Sequence, residues 1–102
     1  MKGEFTLPGL FRDQPLVIHS HTDEKGDTVR RIVSSEDTGE VFAIISVDTK
    51  GEKLPAEEFV FAAYNGRKLL LQKLLDVGAI EMTRKLFLFD EFRRVLPIVR
   101  IK

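Results

Sequence analysis

The chain has 102 residues, 43% hydrophobic and 31% charged, with 16 Lys+Arg balancing 16 Asp+Glu and no cysteine. This length fits one domain over residues 1–102 with a single modest core, and the lack of cysteine excludes a disulfide framework, a thiolate metal site and a cysteine nucleophile. No apolar run nears the roughly 20 residues of a membrane helix, and MKGEFTLPGLF lacks the apolar stretch of a signal peptide, so a soluble, cytoplasmic protein without a membrane partner is expected.

Turn signals stand at Pro8-Gly9, Asp23–Asp27, Ser35–Glu40, Asp48–Glu52 and Asn65-Gly66. Between them run short β-rich segments: EFTL, LVIHSH, TVRRIV, EVFAIISVD and FVFAAY. Turns every 8–12 residues or so predict an antiparallel meander. TVRRIVSSEDTGEVFAIISV is the best hairpin candidate, with Gly39 expected to take a positive φ in its turn.

YNGRKLLLQKLLDVGAIE predicts a helix over about residues 66–77. Asn65 is a good N-cap type, and Gly78 stands where a left-handed glycine ends a helix. Leu70, Leu71, Leu74, Leu75 and Val77 form an apolar arc, Leu69 falls outside it, and Leu71 and Leu74 should be nearly fully buried. IEMT, LFLF and VLPIVRI follow as strands. The stretch 85–96 also fits a short helix, since Leu88, Phe92 and Val95 have helical spacing; strand is favoured. The fold class is thus α+β: a mostly antiparallel sheet with one main helix packed on one face.

The strands are apolar on both sides. In EVFAIISVD, Val41, Ala43, Ile45 and Val47 should point one way and Phe42 and Ile44 the other; FVFAAY and LFLF are similar. Such strands need cover on both faces. Phe42, Ile44, Phe87 and Phe89 are therefore candidate interface residues, covered by a tightly curled sheet, a second copy of the chain or another protein.

Charge is divided along the chain. Residues 1–66 carry 12 acids and 7 Lys/Arg, whereas residues 67–102 carry 4 acids and 9 Lys/Arg. Arg67 and Lys68 open the helix, where free N–H groups attract anions. Arg84, Lys85, Arg93 and Arg94 flank Phe87, Phe89 and Phe92, a mixture that can hold single-stranded nucleic acid by charge and stacking. These six residues are the candidate anion- or partner-binding set.

His19 and His21 share one side of a strand, but two histidines fall short of the four ligands of a structural zinc site, so no metal or other cofactor is expected. No phosphate loop, dinucleotide fingerprint or nucleophile elbow is present. Glu57 and Glu58, adjacent on an extended chain, would face opposite ways, a poor acid–base pair. No catalytic residue is nominated.

The segment TGEVFAIISVDTKGEKLPAEEFVFAAYN, the leucine helix, DVGAIEMT and LPIVRI together resemble a family of small uncharacterised proteins, a domain of unknown function from bacteria, phages and integrative elements. The likeness spans about residues 39–101; RKLFLFDEFRR is bulkier and more charged than its pattern. The resemblance implies an accessory protein of a mobile element or phage and no transferable site residue. The reading is a non-enzymatic protein-interaction module, binding itself as a homodimer or another protein. The alternative is a nucleic-acid-binding accessory protein using the basic C-terminal third.

Overall fold

A computed structural model describes residues 3–49, 52–64, 67–88 and 95–102, with Arg12 described by its backbone alone. The fold is α+β, with six antiparallel strands and one α-helix among the described residues. One sheet was expected; the strands form two sheets of three. The chain groups into two compact units, Met1–Ile45 and Ser46–Lys102.

In the first unit, β1 (Leu16–Thr22), β2 (Thr28–Ser34) and β3 (Val41–Ile44) pair in the order β1-β2-β3, the predicted meander. The β1–β2 turn is built by Asp23, whose Oδ1 accepts the N–H groups of Lys25 and Asp27, each at 2.9 Å. Gly26 supplies the positive φ, 85°, which glycine adopts without a Cβ clash. At the β2–β3 turn the expectation for Gly39 is corrected: its φ is not positive. Asp37 closes this turn instead. Its carbonyl accepts the Glu40 N–H at 2.9 Å and its carboxylate the Gly39 N–H at 2.9 Å, a side-chain turn that asks for no left-handed residue. Leu7, Leu16, Ile32, Val33 and Ile45 are completely buried.

EVFAIISVD does not form one strand. A register shift in the β2–β3 pairing, between Ile32 and Val33, interrupts the alternation. The strand ends at Ile44, and Ser46 bridges to Phe61 in the second unit. The expected two-sided alternation is corrected accordingly: Val41 and Ile44 are exposed, Phe42 and Ala43 half-buried.

The second unit holds β4 (Glu58–Val60), α1 (Lys68–Asp76), β5 (Ile80–Leu88) and β6 (Val95–Ile101), with strand order β4-β6-β5. IEMT and the start of LFLF are one strand, β5, broken by a bulge between Met82 and Lys85. Residues 85–88 are strand, as favoured; Phe89–Arg94 lie outside the described residues. One sheet face carries Val60, Leu96 and Ile98, with Val47, Leu54, Ala63, Tyr64 and Phe87 packed against them.

The helix ends as its sequence predicts. Gly78 has φ 76°; its N–H donates to Leu75 O and the Ala79 N–H donates to Leu74 O, both at 3.1 Å. This double closure satisfies carbonyls the last turn leaves open. The N-terminus differs: the N-cap is Arg67, with no side-chain cap, and Asn65 lies outside the described residues. Leu70 and Leu74, four apart, are the buried pair. Leu71 is only half-buried, a correction to its expected burial.

Candidate interaction surface

The candidate cations occupy different settings. Arg67 is half-buried at the helix N-cap, and Lys68, the first helical residue, is exposed. Arg93 and Arg94 lie outside the described residues. Lys85 is committed within the sheet: its ammonium pairs with Glu58, whose side chain is only 8% exposed. Arg100 reaches the same carboxylate at 3.9 Å and Glu81 at 2.9 Å. The register explains this ladder, because Glu58 and Glu81 sit across from Arg100 on either side of the central strand. Opposite charges directly across a sheet attract. The ladder occupies the charge of Lys85 and Arg100, which leaves these two less to offer a phosphate.

Arg84 is different. It sits in the β5 bulge with φ 67°, a left-handed conformation that costs a side-chain-bearing residue roughly 1–2 kcal/mol. Beside it, the Thr83 hydroxyl donates to Ile98 O at 2.7 Å and accepts the Lys85 N–H at 3.2 Å. These bonds hold the bulge, and Arg84 stays exposed.

The bulge also decides which side of β5 faces outward. Phe87, opposite Leu96, packs half-buried against the Val60–Leu96–Ile98 cluster. Its neighbours Leu86 and Leu88 point the other way, 67% and 61% exposed. Leu86 faces Pro97 and Leu88 faces Val95 across the ladder; Val95 and, further along β5, Met82 are also exposed. The apolar surface of the hairpin is therefore Met82, Leu86, Leu88 and Val95, none of which the sequence reading selected. The alternation of LFLF offered the signal, but both of its sides are apolar, so the pattern alone does not say which is inside.

Of the other candidate interface residues, Phe42 is partly covered by Phe11, the rings stacked at 5.2 Å and 27°. Ile44 is exposed on the edge strand β3. Phe89 lies outside the described residues. His19 and His21 do share one side of β1, but Arg31 donates to His19 Nδ1 at 2.9 Å. That lone pair is thus taken by a cation, and no group of three His, Asp or Glu able to hold a metal occurs among the described residues. No helix among them is long and apolar enough to cross a membrane. No family model, curated protein or solved structure matches the chain.

Proposed function

We propose that this protein is a non-enzymatic, cytoplasmic protein-interaction module whose contact surface is the outward face of the β5–β6 hairpin. The observation that carries the reading is the side-by-side exposure of Leu86, Leu88 and Val95, with Met82 further along the strand. Leaving such side chains in water rather than buried is unfavourable by roughly 1.5–3 kcal/mol each at full burial. Four partly exposed side chains amount to a few hundred Å² at most, below the roughly 800 Å² per partner of a stable interface. The surface therefore suits a transient contact. The resemblance over residues 39–101 supports an accessory role in a mobile element or phage.

The test compares the parent with a Leu86→Lys, Leu88→Lys variant by hydrophobic-dye fluorescence and by light scattering after size exclusion at micromolar concentration. The expected result is dye enhancement by the parent that the variant loses; a parent mass above 11.6 kDa that falls in the variant would identify a second copy as partner. A parent that runs at the monomer mass and binds no dye overturns the reading.

A further inference from the structure

In the first unit, residues 6–15 form a loop whose two ends are tied together. Phe5 and Leu16 bridge at its neck, with Phe5 N–H donating to Leu16 O at 2.9 Å and Leu16 N–H to Phe5 O at 2.7 Å. The Ser35 N–H adds a bond to Pro15 O at 3.0 Å, and Leu7 and Leu16 are completely buried. Compact surface loops closed at the neck in this way are frequently functional. The tip is held less firmly: Pro8, Gly9 and Asp13 are exposed, and Leu10 and Phe11 are only half-buried.

The tip also carries backbone strain. In its single 3-10 turn, Phe11–Asp13, Phe11 has φ 53° and Asp13 has φ 52°. Aspartate enters this left-handed region at modest cost, but a bulky aromatic residue there is an outlier. Strained residues persist only where their surroundings over-determine them. Two contacts do so here. The Asp13 carboxylate accepts the Gly9 N–H at 2.7 Å, closing the tip on itself. The Phe11 ring stacks on Phe42 of β3, the strand that also carries the exposed Val41 and Ile44. We infer that residues 8–14 are a strap latched over Phe42 by these two contacts. Loosening either contact lets the left-handed backbone relax, lifts Phe11 and adds Phe42 to the exposed apolar side chains of β3. The chain thus covers Phe42 with its own Phe11, and the cover is releasable.

Amide hydrogen exchange followed by NMR on the intact chain tests this. The Leu10 N–H, bonded to Leu7 O at 3.0 Å, reports on the tip, and the amides of Phe5, Leu16 and Ser35 report on the neck. In the parent, Leu10 should exchange faster than the neck amides, because the tip opens by a local step, and the ring protons of Phe11 and Phe42 should show mutual nuclear Overhauser effects. Asp13→Ala removes the acceptor but keeps the left-handed cost. It should speed Leu10 exchange about tenfold, the scale of a hydrogen bond to a charged group, weaken the ring contacts and leave the neck unchanged. Asp13→Gly removes acceptor and strain together and should speed exchange less than Asp13→Ala. Asp13→Asn keeps an acceptor oxygen and tolerates the left-handed region, so it should stay close to the parent. Phe11→Ala, which removes the other contact, should also speed Leu10 exchange. Leu10 protection unchanged by Asp13→Ala, or tip and neck amides accelerating together in each variant, overturns the strap. Equal acceleration by Asp13→Ala and Asp13→Gly overturns its release by strain. None of these amides belongs to the β5–β6 hairpin, so the result stands apart from the interaction reading.

Discussion

Leu74 and Leu71 sit three residues apart on one short helix and differ sharply in enclosure. Leu74 is completely buried, whereas Leu71 keeps part of its surface in water. Truncating a buried leucine removes both its transfer free energy and its packing contacts, because the surroundings close the cavity only partly. Leu74→Ala should therefore cost about 2–5 kcal/mol, and Leu71→Ala clearly less, measured by urea denaturation of both variants. Equal costs would mean that the helix presents a different face to the sheet. Glu58 makes a related point about charge. Its carboxylate is nearly buried, while Lys85 and Arg100 remain about half exposed, so the two cations lose little hydration in meeting it and the desolvation falls mainly on the acid. Glu4 shows the opposite situation: fully exposed, its carboxyl sits below its usual pKa mainly because the Ser35 hydroxyl donates to it.

At the scale of elements, the helix was the most legible part of the sequence, and its end gives the sharpest prediction. Gly78 is left-handed, and a Cβ built there meets nothing within 4 Å. Gly78→Ala should thus destabilise by about 1–2 kcal/mol through backbone strain alone. Gly39→Ala is the control: its φ is not positive, and the added Cβ would meet only the Asp37 carboxylate oxygen, at 3.2 Å. Thermal melts should show a clear loss for the first and a smaller one for the second; the reverse order would refute the left-handed closure. The helix could be read because leucine spacing and the terminal glycine act locally and agree. The β2–β3 hairpin could be read for the same reason, although Asp37 rather than Gly39 makes its turn. The β5 bulge could not be read: it places a positive φ on an arginine, and no local signal marks Arg84 as left-handed. Nor could the end of β3 be read, because apolar residues continue through Ile45 and Val47 while the pairing partner changes. The sequence reading accordingly chose Phe87 and Phe89 for the surface, whereas the bulged strand turns Leu86 and Leu88 outward.

Each sheet draws its strands from one continuous part of the chain, and this arrangement bears on whether the chain folds as one piece. In Ser46–Lys102, β4, β5 and β6 pair with one another, Ser46 bridges to Phe61, and α1 contacts β5. Val60, Phe61, Leu74, Ile80 and Val99 are all buried in this stretch. Its length falls where many domains fold alone (roughly 55–65 residues). Met1–Ile45 contains a three-stranded meander with a few fully buried residues, close to the size of about 40 residues below which isolated chains usually need a metal, a disulfide or a partner; the chain has no cysteine to supply a disulfide. The two halves should therefore behave differently when expressed separately. Residues 46–102 alone should give dispersed amide resonances and slow exchange along β6, the strand bonded on both sides, and should retain the dye binding of the β5–β6 surface. Residues 1–45 alone should give the narrow dispersion of an unfolded chain. Collapsed dispersion in both fragments would show that neither stretch folds alone, in keeping with the single domain expected from length.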